Sequence, residues 1–235
     1  YVCVFLDATY IPLKRGTVER EAVNIAIGIR SDGGKEVLDF SVAPNENGEA
    51  WRELLESLRN RGIEQVQLFI ADGFIGLENV IAEIYPTAKF QRCLVHVLRN
   101  LTSHVRKSDM RDLMSEFKEI RQSESLEEAK QALDNFILKW ESKYSNQMRK
   151  LGKLSNLFTF YEFPPSIRAS IYSTNLIEAF NKKLKKKIRQ KEQFPNEDAL
   201  QRFVTTQILE YNDKFEERAH RGFRGSKDTL DSMFI

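Results

Sequence analysis

Residues 2–10 read VCVFLDATY, and this stretch decides the fold. Val2, Cys3, Val4, Phe5 and Leu6 run without a polar break, and Asp7 follows. Such a run fits a strand buried on both faces, mid-sheet, with helices packed on either side. The run ends on Asp7, and a carboxylate at the tip of a buried strand stands where open α/β sheets place their chemistry. Taken alone, an Asp at this position more often closes a turn. It gains weight only if other acids can be brought to it.

Working outward, residues 22–30 (AVNIAIGIR) and 35–42 are apolar and β-branched, and Ser31-Asp32-Gly33-Gly34 between them is turn chemistry. They predict a hairpin. Gly-x-x-x-x-Gly-Lys occurs nowhere, which argues against a nucleoside-triphosphate site. Residues 49–61 predict an amphipathic helix with Trp51, Leu54, Leu55 and Leu58 on one face and Gly62 as its stop. Residues 66–70 (VQLFI) predict a strand running into Ala71-Asp72-Gly73, followed by a helix over 74–84 and a last strand over 89–93. A three-strand meander, then helix, strand, helix and strand, is an α/β unit.

From 94 to about 144 the pattern is helical: a segment over 94–105, a second capped by Ser108, and a third opened by the capping box Ser125–Glu128. The third carries an apolar stripe through Leu133, Phe136 and Trp140. LFTFYEFPP at 157–165 interrupts regular structure. Residues 175–191 and 197–215 predict two final helices, and the polar, basic tail from 218 is expected to be loosely held.

With 235 residues, 41% hydrophobic and 30% charged, the chain has an ordinary globular composition with room for a core plus an inserted or second domain. No apolar run approaches the roughly 20 residues of a membrane span, and no secretory leader is readable. The chain begins at Tyr1 and is expected to be a fragment. Cys3 and Cys93 are too few for a disulfide framework, so a reducing cytoplasm is the expected location. A net charge of +2 and a pI near 8.4 do not by themselves point to nucleic acid; the distribution says more.

Asp72 is the second acid of interest, because it too follows a short apolar strand directly. Two neighbouring parallel strands would bring Asp7 and Asp72 together; the plainer reading is an Asp-Gly turn. Glu178 is the third. Asn175 and Glu178 have the spacing of an N-cap and its reciprocal Glu, a structural reading that stands beside the functional one. Behind Glu178 crowd Lys182, Lys183, Lys185, Lys186, Lys187, Arg189 and Lys191, with no acid before Glu192. On a helix, Leu176, Phe180, Leu184 and Ile188 share one face, while Lys182, Lys185 and Arg189 share the face of Glu178. Like charges this dense repel one another, and a polyanion would relieve them; a merely solvated face is the alternative. One chemistry uses all these pieces: phosphodiester cleavage by two Mg²⁺ ions held by a small carboxylate cluster. Cys93-Leu94-Val95-His96 offers two soft ligands where a closed zinc site needs four, so packing for Cys93 and a hydrogen bond or a site-facing role for His96 are expected.

Asp7 in LDATY, Asp72 in ADG, Cys93-x-x-His96 and Glu178 in STNLIEAFNKKLK, in this order, resemble the mutator-type transposases of bacterial insertion sequences. The resemblance implies an α/β, RNase H-like mixed sheet flanked by helices and interrupted by an all-helical insertion. Its parts are residues 1–93 for the first part of the core, 94–172 for the insertion, 173–216 for the C-terminal core helices and 217–235 for the basic tail. It implies Asp7, Asp72 and Glu178 as a catalytic triad binding two Mg²⁺ or Mn²⁺ ions, DNA cleavage at transposon ends, and joining of the 3′ hydroxyl to target DNA. Cys93 and His96 would lie near the site, and Lys182, Lys183, Lys185, Lys186 and Arg189 would contact DNA phosphates. A homodimer in the active complex, association with the nucleoid and no membrane partner are expected. The N-terminal region that recognises the terminal repeats in the family is not in this chain, which puts sequence-specific end binding in doubt. Trp140 and the aromatics of 158–163 are candidates to stack on an unpaired base, although the helical stripe favours a core role for Trp140. A related nuclease or resolvase without strand transfer, and a domesticated DNA-binding protein without chemistry, are the rival readings.

Overall fold

In the computed structural model, residues 1–15, 17–191 and 193–234 are described. Gly16, Glu192, which closes the cationic run, and Ile235, the last residue of the tail, lie outside them. The strands are β1 (Cys3–Arg15), β2 (Thr17–Ile29), β3 (Lys35–Ala43), β4 (Leu68–Ala71) and β5 (Lys89–Arg92). The helices are α1 (Gly48–Asn60), α2 (Leu77–Ile84), α3 (Leu94–Thr102), α4 (Lys107–Ile120), α5 (Leu126–Leu151), α6 (Pro165–Ile171), α7 (Asn175–Ile188), α8 (Glu197–Phe215) and α9 (Lys227–Ser232). The protein is thus mixed α/β. Among the described residues no helix is long and apolar enough to cross a membrane.

One five-stranded sheet runs in the order β3-β2-β1-β4-β5. The first three strands form the antiparallel meander, and β4 and β5 lie parallel to β1 and to each other. Parallel neighbours need a crossover to bring the chain back, and α1 and α2 supply it. These two helices bury Trp51, Leu54, Leu55, Leu58 and Ile81 against Val4, Leu6 and Phe69 on one face of the sheet. Phe5, Ile25, Ile27 and Ile70 point to the other face, into a core shared with α7, α8 and the helices of residues 94–171.

The central strand does not end on Asp7. The apolar run stops there, yet Thr9, Ile11 and Leu13 continue at every second position, all fully buried, with Tyr10 on the outer side. Alternation of this kind carries a half-buried strand onward, and β1 runs to Arg15 as the first arm of a long hairpin in which Asp7 stands opposite Ile25. What ends near Asp7 is the parallel pairing: β4 accompanies β1 only over Cys3–Phe5. The turn after β2 does behave as its sequence predicts. Gly33 adopts a φ of +87°, and a Cβ there would stand 2.9 Å from the backbone nitrogen of His220.

One cap differs from expectation and one agrees. Ser108 lies inside α4, whose N-cap is Arg106 with no side-chain cap; the Arg106 N–H is taken instead by the Tyr144 hydroxyl at 3.1 Å. Ser125 does cap α5, accepting from the Glu128 N–H. The first segment of the helical stretch stops at Thr102, three residues short of the expected end. The chain enters and leaves the helical stretch at one place, since the Leu94 N–H donates to the Tyr172 carbonyl at 3.0 Å.

Trp140 is buried core. Its indole N–H donates to Glu116 at 3.0 Å, and its ring lies between Phe136 and Tyr144. Phe160, Tyr161 and Phe163 are buried too, so these aromatics hold the helical block together and are not available to a base. The tail is not loosely held either. Phe223 and Leu230 are fully buried, the Gln67 side chain donates to the Leu230 carbonyl, and the His220 N–H donates to the Gly33 carbonyl at 2.7 Å. Two apolar anchors in a polar segment are enough to dock it.

Candidate active site

The parallel pair β1 and β4 leads toward the two aspartates. Cys3 stands beside Leu68 and Phe5 beside Ile70; Asp7 and Asp72 each follow two residues after the last of these pairs, and Asp7 feels the charge of Asp72. Asp7 projects toward α7, where the Asn181 amide N–H₂ donates to its Oδ2 at 2.7 Å. Burial pushes the Asp7 carboxyl up to about 6, and the charges of Asp72 and Glu178 push the same way, while the Asn181 hydrogen bond and His96 oppose them. Asp72 turns at the end of β4, and its Oδ1 accepts from the Phe74 N–H at 3.1 Å.

Glu178 projects from the first turn of α7. The N-cap is Thr174, not Asn175, and no side chain caps the helix. Glu178 is therefore not spent on a capping box. Arg99 of α3 grips it with two hydrogen bonds, Nη1 to Oε1 and Nη2 to Oε2, both 2.9 Å. Thr174 Oγ1 and His96 Nε2 each lie 3.4 Å from it. Burial works to raise the Glu178 pKa, but the hydrogen bonds and charge of Arg99, with His96, outweigh it and hold the carboxyl below its usual range.

Cys93 and His96 are joined to this network through Thr174. The buried Cys93 sulfur accepts from the Thr174 N–H and hydroxyl, each at 3.2 Å, and the same hydroxyl lies 3.3 Å from His96 Nδ1. Burial would raise the thiol; hydrogen bonds from His96 and Thr174 bring it below its ordinary value. The hydrogen bond with Cys93, and the charges of Cys93, Glu178 and Asp72, raise His96 against its own burial.

Asp7, His96, Arg99 and Glu178 line one open groove. Lys182, Lys183, Lys185, Lys186 and Arg189 line the same groove and are all exposed. Asp72 opens instead on a separate depression against the helical block, with Arg92 and His104. Among the described residues no three His, Cys, Asp or Glu side chains stand close enough to hold a single metal ion. The charges of Asp72 and Glu178 both reach Asp7, while Glu178 itself is turned toward Arg99.

Three neighbours escaped the sequence reading. Asn181 is buried and follows Glu178 by one helical turn, a polar residue at a core-facing position; that periodicity is a signal that could have found it. Thr174 sits immediately before the predicted helix start. Glu46, in the loop between β3 and α1, accepts from the Trp51 indole at 3.1 Å. Burial raises it to about 7, and Asp72 and Asp7 add to the effect. Nothing in its local sequence marks it, because only the sheet brings that loop to the two aspartates.

Comparison with known proteins gives the family. The family model described as Transposase, Mutator family, matches residues 1–218. A transposase for insertion sequence element IS905 of Lactococcus lactis is 50% identical over 234 residues, covering 100% of this chain and 60% of that protein. A transposase for insertion sequence element IS1201 of Lactobacillus helveticus is 50% identical over 212 residues, covering 90% of this chain and 58% of that protein. A transposase for insertion sequence element IS256 in transposon Tn4001 of Staphylococcus aureus is 27% identical over 218 residues, 92% of this chain and 56% of that protein. The chain spans somewhat over half the length of these relatives. With the family description covering all but the last residues, and half of all positions shared with transposases across its whole length, the chain belongs to the Mutator family of transposases.

Proposed function

We propose that this chain is the catalytic domain of a DNA transposase that cleaves phosphodiesters at transposon ends and joins the freed 3′ hydroxyl to target DNA. The observation that supports the reading is that Asp7, at the end of the parallel pairing of β1 with β4, feels the charges of both Asp72 and Glu178. The strand order β3-β2-β1-β4-β5, with only β2 antiparallel to its neighbours, supports an RNase H-like core. Residues 94–172 would then be a helical insertion.

The donor set suits Mg²⁺ or Mn²⁺, hard cations that prefer carboxylate oxygens. Burial and mutual repulsion already hold Asp7 near pH 6, a local excess of negative charge that divalent cations would neutralise. Asp7 and Asp72 would hold the ions, and Glu178 would join once it exchanges Arg99 for them. Two bound ions would favour ionisation of the attacking oxygen and shield the departing one. The protein's own groups do the rest. The lysines of α7 and Arg189 bind phosphates on either side of the scissile one. Asn181 keeps the Asp7 carboxylate aimed and ionised. Arg99, released from Glu178, is free to bind the anionic phosphate. In cleavage, water oxygen bonds to phosphorus, the P–O3′ bond breaks and the 3′ oxygen takes a proton. In joining, that 3′ oxygen bonds to a target phosphorus and displaces the neighbouring 3′ oxygen. A pair of chains, one at each transposon end, is the assembly this reading requires.

The test uses labelled DNA carrying the element's ends, with Mg²⁺ or Mn²⁺, and the Glu178→Gln variant as control. Metal-dependent nicks and joined products, both lost in the variant, are expected. Nicks without joined products would reduce the chain to a plain nuclease, and equal activity in the variant would overturn the site.

A further inference from the structure

Helix α7 carries cations on more than one side. At about 100° per residue, Lys182, Lys185 and Arg189 stay within roughly 40° of Glu178, while Lys183 lies about 140° around the helix. Lys183 and Ala179 border both the acidic groove and a second depression on the far flank of α7. Lys35, Ser170, Ser173 and His220 also line that depression. Lys35 comes from the start of β3, Lys183 from α7 and His220 from the segment after α8, so folding gathers these groups from distant parts of the chain.

Phe215 stands beside them as an aromatic platform. Lys35 Nζ lies 3.9 Å from its ring centre, Lys183 and Lys214 each 5.9 Å, and the Arg218 guanidinium carbon 5.7 Å. Among the described residues, none of these four cations makes an ion pair with a carboxylate. Burial, and then the charges of Lys183 and Arg218, hold the Lys35 pKa below the usual lysine value. Folding therefore concentrates unpaired positive charge at a half-buried spot. Contact with one aromatic ring recovers only about 0.5–1 kcal/mol per exposed cation. An anion would remove the repulsion itself, and phosphate oxygens could also accept from the hydroxyls of Ser170 and Ser173.

We propose that this depression, lined by Lys35, Lys183 and His220 and flanked by Arg218, is a second phosphate-binding site that takes the backbone of DNA running from the acidic groove across α7. The inference rests on the DNA reading of the preceding section. A DNA backbone is favoured over a free phosphate ion because Lys183 makes the two depressions one continuous basic path.

The test is duplex binding over a salt series by the parent chain, the double variant Lys35→Gln/Arg218→Gln, and a Lys185→Ala/Arg189→Ala variant. Two lost phosphate contacts should make the slope of log affinity against log salt shallower by about 1–2, with the melting temperature unchanged or raised. An unchanged slope in the double variant, when Lys185→Ala/Arg189→Ala does flatten it, overturns this site alone. A parent chain that binds no duplex overturns this site and the DNA reading together. A second measurement needs no variant: acetylation of Lys35, read by mass spectrometry, should be suppressed by duplex DNA and not by an equal concentration of inorganic phosphate. Suppression by inorganic phosphate alone would make the site one for small anions and overturn the proposal.

Discussion

Replacing Asp7 by Asn should make the protein more stable and inactive at once. Folding carries the Asp7 carboxyl from 3.8 to about 6, chiefly through burial. Between those values the folded chain keeps a proton that the unfolded chain has released, so stability falls as pH rises through that window. Above pH 7 the full cost applies; a displacement of about two pH units at 1.36 kcal/mol each is about 3 kcal/mol. The Asn181 amide stays in place to bond the introduced amide, but a neutral pair is weaker than the charged one it replaces, so a net gain of about 1–2 kcal/mol at pH 8 is expected. By pH 4 the gain should be largely gone, because the folded carboxyl is then neutral and the unfolded one is already close to half protonated. Urea unfolding at pH 8 and pH 4 measures this directly, and repeating the pH 8 series with Mg²⁺ adds a second reading. Ligand that binds only the folded chain stabilises it, so wild type should gain from the metal and Asp7→Asn should gain far less. A variant less stable than wild type at pH 8, or an equal gain at both pH values, would refute the reasoning.

Other outcomes follow from the same geometry. Arg99 is about half exposed, and its pair with Glu178 should contribute about 0.5–1 kcal/mol; Arg99→Ala should therefore tighten Mn²⁺ binding about 2–5-fold by calorimetry, and weaker binding would count against Glu178 as a ligand. His220 is held neutral, its pKa driven down to about 4 by burial and Lys35. Its contribution is complete above pH 6.5 and is lost as pH falls toward 4, so between pH 7.5 and 4.5 wild type should lose about 1–2 kcal/mol more than His220→Gln in urea melts, after allowance for partial exposure; parallel losses would contradict this. Trp140→Ala should cost about 3–5 kcal/mol through an unfilled core, whereas Trp140→Phe should leave DNA cleavage intact. Cleavage abolished in a well-folded Trp140→Phe would return that ring to the site.

The chain's order of strands and helices was legible because each element announces itself locally: a five-residue apolar run, a Gly pair in a turn, a Trp-Leu-Leu-Leu face. Asp7, Asp72 and Glu178 were legible as candidates for the same reason, each being an acid next to an apolar element. What stayed hidden depends on contacts between distant segments. The length of β1 follows from its hairpin with β2. Arg99 meets Glu178 only because α3 and α7 start from neighbouring points. Glu46 reaches the aspartates through a loop with no motif. The tail reads as polar, and two residues, Phe223 and Leu230, decide its docking. In each case the local pattern is weak and the tertiary partner strong.

The hydrogen bond between Leu94 and Tyr172 has a consequence for how such a protein changes over generations. Everything between those residues begins and finishes at a single doorway on the sheet. A lineage could lengthen, trim or exchange that stretch without dragging Asp72 or Glu178 from their stations. The constraint lies at its contacts with the sheet: a replacement must still offer apolar side chains where Val97 and Leu101 now meet the common core, a cation where Arg99 now clasps the acid, and partners for the Gln91 side chain where Leu157 and Phe160 now bond it.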